Sequence, residues 1–198
     1  MEQVSKKETE ELLRLAEQAL SADGDFVEFG CYKGDTSILL AKLLKAHRSS
    51  QKLWLYDSFA GLPAKTAEDA SVAGDQFRAG ELFVSKHEVI TKFKRSGLSV
   101  PIIKKAFFAD LDPTQDLPEK IAFAFLDGDL YSSIKTSFQL VLPKLAKQGT
   151  IIVHDYNNPE LPGSSRAVDE FLRAHPEFRL TQKHTLAILT QRYSKQIR

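Results

Sequence analysis

Glu28-Phe29-Gly30-Cys31-Tyr32-Lys33-Gly34 sets one carboxylate and two glycines between a short apolar run and a helical one. Gly30 lets the backbone turn with positive φ and approach a ligand with no Cβ in the way. Gly34 opens the next helix, whose first N–H groups have no intrahelical partner and favour a carboxylate. Glu28 carries the charge to take up an ammonium group, directly or through water, and Tyr32 lies inside the same turn. Asp57, followed by Ser58, ends the next apolar run, where a carboxylate accepts the hydroxyls of a ribose. Asp127 and Asp155 end two further apolar runs, with Asp129 and His154 beside them. These types and spacings describe a crevice for a nucleoside that carries an amino-acid group, with proton-handling residues at its edge. A bland alternative stands beside that reading: a tight turn with a solvated Glu28, and Asp127 or Asp129 capping a helix that starts near Tyr131. Three aspartates at successive strand ends favour the crevice.

The elements that hold these residues follow from periodicity. Leu12, Leu13, Ala16, Ala19 and Leu20 recur at helical spacing, so residues 5–21 read as an amphipathic helix. Phe26–Gly30 reads as a buried strand, and Ile38, Leu39, Ala41, Leu43 and Leu44 mark a helix from Asp35. Lys52–Asp57 is a second strand, residues 85–96 a helix, Val100–Phe108 the stretch holding a third strand, and Ile121–Asp127 a fourth. A helix over 131–147, a fifth strand at Thr150–Asp155 and a helix face at Ala167, Val168, Phe171 and Leu172 follow. Phe178–Lys183 and Thr185–Gln191 can pair as a closing hairpin. Alternating strands and helices imply a parallel sheet with right-handed crossovers, covered on both faces, and ligands beyond its carboxyl ends. Residues 58–85 leave the second strand on that side, so Phe59, Leu62 and Pro63 are expected to wall the crevice and Gly74, Asp75, Phe77 and Gly80 to form part of a lid.

The chain has 198 residues and a formal charge of +1, from 27 basic and 26 acidic side chains. That length suits one domain, divided into an N-terminal helix (1–24), a core (25–191) and a basic tail (192–198). Phosphate neutralisation supplies most nucleic-acid affinity and needs a basic excess, so no nucleic-acid partner is expected. A single cysteine, Cys31, excludes an internal disulfide and a Cys-based zinc site. The N-terminus lacks the apolar core of a signal peptide, and no run reaches the ~20 apolar residues of a membrane span. A cytoplasmic location without a membrane partner is the expectation.

Three further strings identify a resemblance. Tyr56-Asp57-Ser58-Phe59-Ala60-Gly61-Leu62-Pro63 follows the second strand, and Phe125-Leu126-Asp127-Gly128-Asp129-Leu130-Tyr131-Ser132-Ser133 closes the fourth. Gly149-Thr150-Ile151-Ile152-Val153-His154-Asp155-Tyr156 forms the fifth, with Arg166-Ala167-Val168-Asp169-Glu170-Phe171 after a short loop. Together with Glu28–Gly34, this resembles the macrocin O-methyltransferase (TylF-like) family of class I methyltransferases, over about residues 25–190.

The resemblance implies a Rossmann-like seven-stranded sheet, mostly parallel with its last strand antiparallel, and helices on both faces. It implies S-adenosylmethionine as methyl donor, a divalent ion (usually magnesium), and a small hydroxylated acceptor; a homodimer is allowed. It places cofactor contacts at Glu28, Gly30, Tyr32, Gly34, Asp57, Ser58 and Asp127, with Phe108 and Asp110 where relatives enclose the adenine. The ion would sit on Asp127 and Asp155. Relatives usually carry adjacent aspartates at the end of strand five; here His154 precedes Asp155, and its imidazole serves as a further ligand, as a base, or as the group orienting Asp155. The chain is shorter at its N-terminus than the antibiotic-tailoring members, whose added helices cover the acceptor, so their macrolide-type acceptor is not carried over, and a small sugar, a lipid-linked glycan and a phenolic metabolite stay open. Two rival readings remain: a domain that keeps the nucleoside site but methylates nothing, and an NAD(P)-dependent oxidoreductase. The latter prefers G-x-G-x-x-G, and Glu28 beside a pyrophosphate would be repulsive.

Overall fold

A computed structural model describes residues 4–192 except 73 and 75. The expected lid residue Asp75 and nearly all of the basic tail therefore lie outside the described residues. The chain runs α1 (Lys6–Ala19), β1 (Asp25–Phe29), α2 (Asp35–Ala46), β2 (Leu53–Asp57), α3 (Lys86–Arg95), β3 (Ile102–Lys105), β4 (Ile121–Leu126), α4 (Tyr131–Val141), β5 (Leu145–Val153), α5 (Pro162–Ala174), β6 (Phe178–Lys183) and β7 (Leu186–Gln191). The sheet order is β3-β2-β1-β4-β5-β7-β6, with β7 antiparallel to both of its neighbours and the other pairings parallel. That is the seven-stranded class I methyltransferase arrangement.

Every residue of β4 is buried, which is why this strand is continuously apolar. On one face Phe26, Phe123 and Phe125 pack with Leu12 and Ala16 of α1, Leu40 of α2 and Phe93 of α3. On the other, Val27, Phe29 and Ile151 pack with Ile134 and Phe138 of α4 and Val168 and Phe171 of α5. Ser5 and Ser85 start α1 and α3 through reciprocal capping boxes with Glu8 and Glu88.

Three expectations need correction. The helix over 131–147 stops at Val141, because Pro143 lacks an N–H and disfavours helical backbone before it; a single 3₁₀ turn, Leu142–Lys144, follows. β5 consequently begins at Leu145 rather than Thr150, and the pairing register with β4 shifts between Ile121 and Phe123 to absorb the extra residues. Phe59 does not wall the crevice: it is 2% exposed and belongs to the core beneath α2 and α3.

The cap of α4 comes from elsewhere too. Neither Asp127 nor Asp129 supplies it; Leu130 is the N-cap, with no side-chain bond of its own. Asp69, 3% exposed, reaches across the fold, its Oδ1 accepting the Tyr131 N–H at 2.7 Å and its Oδ2 accepting the Thr66 N–H and hydroxyl, each at 2.9 Å. Asp69 thereby ties the β2–α3 connection to the helix that follows the reactive strand end. Asp69→Ala is expected to cost about 1–3 kcal/mol, because it strands a buried N–H as well as deleting a cap. A thermal melt should read this as a loss of several degrees.

Candidate functional site

The strand order reverses between the parallel strands β1 and β4, and their carboxyl ends set the site's geometry. The Asp127 N–H donates to the Phe29 carbonyl at 2.8 Å, drawing the two strand ends together. Gly30 turns there with φ +88°, and a Cβ on it would stand 2.0 Å from the Asp127 carbonyl oxygen, so no other residue fits. Gly34, φ +73°, is the N-cap of α2 and contributes shape; it lines neither cavity described below.

Asp57 anchors the loop between the glycines. Its Oδ2 accepts the Cys31 and Tyr32 N–H groups at 3.0 and 2.9 Å, and its Oδ1 accepts the Phe59 N–H at 2.8 Å. Ser58 stiffens the next turn, donating to the Gly61 carbonyl at 2.7 Å and accepting the Ala60 N–H at 3.0 Å.

Two adjoining cavities open here and share Gly30, Tyr32 and Asp127. The first, about 300 Å³, is also lined by Asp57, Ser58, Phe108, Asp129, His154 and Asp155. Leu62, Pro63, Phe77 and Leu82 from the long β2–α3 connection also line it, the first, third and fourth of these clustered with Leu161, and Asn158 and Glu160 complete the lining. The second, about 730 Å³, reaches Glu28 and the start of α2. The structure thus brings together Glu28, Gly30, Tyr32, Asp57, Ser58, Phe108, Asp127, His154 and Asp155. Asp110 is left out: it is exposed at the end of a 3₁₀ turn, while Phe107, 40% exposed, lines the first cavity in its place. Among the lid candidates, Phe77 lines that cavity while Gly74 and Gly80 do not.

Burial and charge density govern the acids. Glu28 is 1% exposed, and its carboxyl is pushed up to about 8 by desolvation and by the charges of Asp127 and Asp57, against a 2.5 Å hydrogen bond from Ser37. Asp129 lines the first cavity, and its affinity for a proton is raised well above the usual range by burial, then by Asp127 and Asp155. His154 is buried at the end of β5. Its Nδ1 lies 2.9 Å from Asp127 Oδ1 and 3.0 Å from Asp155 Oδ2. Burial alone would lower its pKa, but the Asp127 charge and its carboxylate contacts overcome that and raise it strongly. Asp127, His154 and Asp155 can be spanned by one metal ion, since one donor atom from each falls within 4.8 Å of the others.

Sequence reasoning missed Glu8. This α1 residue, 6% exposed, accepts the Thr185 N–H at 3.1 Å and the Thr185 hydroxyl on Oε1, and its Oε2 lies 3.9 Å from His154 Nε2. The His154 ring, first among its neighbours, holds its carboxyl well below the usual range. The Ser5-x-x-Glu8 spacing was the available signal, but it announces only a cap. Tyr131 and Lys135 form a Tyr-x-x-x-Lys pair of the kind oxidoreductases use; here Lys135 Nζ donates to the Tyr131 hydroxyl at 2.6 Å, that hydroxyl donates to Glu170, and neither lines either cavity. The Tyr156 hydroxyl likewise bonds Asp169 away from both.

Comparison with known proteins decides the family. The model of the macrocin O-methyltransferase (TylF) family matches residues 4–181. The chain belongs to that family. Within it, the chain is 34% identical over 156 residues, 75% of its length, to the demethyldecarbamoylnovobiocin O-methyltransferase of Streptomyces niveus, covering 58% of that protein. It is 32% identical over 139 residues, 67% of its length, to an 8-demethyl-8-(2,3-dimethoxy-alpha-L-rhamnosyl)-tetracenomycin-C 4'-O-methyltransferase of Streptomyces olivaceus, covering 53% of it. The chain therefore spans little more than half the length of these two relatives. Its structure superposes on that of the O-methyltransferase NovP with a TM-score of 0.80 and 28% identity, over 95% of this chain and 80% of NovP. The family is one of S-adenosylmethionine-dependent methyltransferases, and the nicotinamide reading falls with that membership.

The Glu28 carboxyl generates a prediction. Its folded pKa of about 8 lies above the value of 4.5 for an ordinary glutamate, so between those pH values the folded state holds the extra proton. That stabilising contribution is complete below about 4.5 and is lost as pH rises through about 8. The unfolding free energy of the ligand-free protein, measured by urea titration, should therefore fall from pH 5.5 to 8.5 by an amount on the order of a few kcal/mol. Glu28→Gln should flatten the slope; an unchanged slope would remove Glu28 as its source.

Proposed function

We propose that this chain transfers a methyl group from S-adenosylmethionine to a hydroxyl of a sugar or other small glycosylated natural product. One observation carries the reading: Glu28, Gly30 and Asp57 converge on two joined cavities at the carboxyl ends of β1 and β2, beside the acids that end β4 and β5. Glu28 would take the cofactor's ammonium, and the remaining lone pair of Asp57 Oδ1 a ribose hydroxyl. Phe107 and Phe108 flank the place for adenine, with Phe108 set edge-on against Phe29 at 5.2 Å between centroids. The acceptor would enter between Phe77, Leu82 and Leu161 on one side and Asn158 and Glu160 on the other. An apolar wall with a few polar groups suits a sugar carried on an aromatic or polyketide scaffold. The acceptors in the names of the two Streptomyces relatives support that class.

The sulfonium methyl is already an activated electrophile, so the protein's main work is alignment, which can supply ~7–11 kcal/mol. The acceptor oxygen attacks the methyl carbon, the carbon–sulfur bond breaks, and the sulfonium leaves as the neutral thioether of adenosylhomocysteine. The hydroxyl proton goes to a carboxylate. Asp129 would serve in its ionised form: it lines the first cavity, and burial with the Asp127 and Asp155 charges makes that carboxylate the stronger proton acceptor.

Magnesium, the ion the family resemblance implies, does not fit these residues. It demands oxygen ligands in near-octahedral array. Here a ring nitrogen stands between the two aspartates, and the second oxygen of Asp155 already accepts the Asn158 amide at 2.7 Å. No step above passes through an ion.

Calorimetric titration with adenosylhomocysteine tests the donor site. Asp57→Ala should weaken binding by about 1–3 kcal/mol through lost charge-assisted hydrogen bonds. At pH 7 the wild type should release a proton on binding as Glu28 ionises, and Glu28→Gln should release less. Asp129→Asn should retain cofactor affinity while turnover on a panel of hydroxylated glycosides falls ~10²-fold or more. Cofactor binding with no transfer to any member of the panel would favour the inert domain.

A further inference from the structure

We propose that the His154 ring takes the place between Asp127 and Asp155 that the family resemblance assigns to magnesium, so that this chain works without a divalent ion. The inference rests on the methyl-transfer reading and concerns how its site is held together. Carboxylates arranged for a metal keep oxygens for which the protein offers no donor, since the ion is to be their partner. Here three of the four oxygens of Asp127 and Asp155 already face a protein donor. Asp155 Oδ1 accepts the Asn158 amide at 2.7 Å, while Asp155 Oδ2 and Asp127 Oδ1 lie 3.0 and 2.9 Å from the same ring nitrogen, Nδ1. Among the described residues no buried side-chain nitrogen or oxygen lacks a partner.

The far side of the ring points the same way. Glu8 Oε2 lies 3.9 Å from Nε2, and Glu8 cannot swing clear, because Ser5 donates to it from both its backbone N–H and its hydroxyl while Thr185 holds its other oxygen. Carboxylates thus face both ring nitrogens, the surroundings of a ring with an N–H on each side. A nitrogen that donates to two aspartates has no lone pair for a metal. The ring instead fixes Asp127 and Asp155 beside Asp129, as an ion would. Manganese or zinc tolerates a donor set of two carboxylates and an imidazole, so these are the ions that would contradict the inference.

Chelator-treated protein is titrated calorimetrically with Mg²⁺, Mn²⁺ and Zn²⁺ in turn, without cofactor or acceptor. No one-site binding dependent on Asp127 is expected at millimolar ion. His154→Asp, which restores an oxygen donor, should gain one-site Mg²⁺ binding that the further change Asp127→Asn removes. Wild-type binding of any of the three ions that is lost in Asp127→Asn overturns the proposal, and so does a folded His154→Asp protein that gains none. Should His154→Asp fail to fold, the ¹⁵N signals of the wild-type ring decide: N–H at both nitrogens supports the proposal, and a bare Nδ1 overturns it. With an acceptor in hand, wild-type turnover should survive EDTA. Failure of the wild type to bind adenosylhomocysteine would sink the methyl-donor reading and leave the ion titration standing.

Discussion

The close crossing of the β1 and β4 ends is the constraint on which the site depends. One hydrogen bond, from the Asp127 N–H to the Phe29 carbonyl, and one missing Cβ, at Gly30, bring two loops into van der Waals contact. The loop after β1 can then fold back over Asp57 and give it two N–H groups, and the loop after β4 can present Asp127 to both cavities. A side chain at position 30 would part the strands where the sheet order reverses. The cavity walls would separate with them.

Such an approach concentrates negative charge. Glu28, Asp57, Asp127, Asp129 and Asp155 share one end of the sheet, and Glu8 sits behind it. Each is accommodated differently. Asp57 is answered by three backbone N–H groups. Glu28 and Asp129 are driven toward their protonated forms by burial and by their neighbours. Glu8, Asp127 and Asp155 surround one imidazole. The rim therefore holds acids of unequal proton affinity, with that of Glu28 and Asp129 raised and that of Glu8 lowered.

The parts legible in the sequence were those governed by local pattern. Strand ends marked by Gly30, Asp57, Asp127 and Asp155 appear as apolar runs closed by a turn or an acid, and β4 and the β6–β7 hairpin fall where periodicity puts them. What stayed hidden depends on contacts between distant segments. Asp69 caps α4 from 62 residues away, and Glu8 reaches Thr185 across 177. No spacing rule announces either partner. Phe59 was misplaced because a strand-following aromatic points into a cavity or into the core according to one backbone angle, here φ +48°. The overlong α4 had a local cause that was visible, Pro143, and was outweighed by the apolar periodicity around it.

The two hidden acids share a logic that extends beyond their own contacts. Asp69 ties the β2–α3 connection, which lines the first cavity, to the start of α4, and its Oδ1 lies so close to α5 that a Cβ on Gly163 would stand 1.9 Å away. Glu8 ties α1 to the β6–β7 turn and to the back of His154. Each is a buried carboxylate joining elements remote in sequence. The loop between Gly30 and Gly34 is held by Asp57 from within the same half of the sheet. The loop after β1 is therefore held locally, by β1 and β2. The placement of His154 and of the β2–α3 connection depends on contacts that cross the whole domain, and it is more exposed to substitutions far from the cavities.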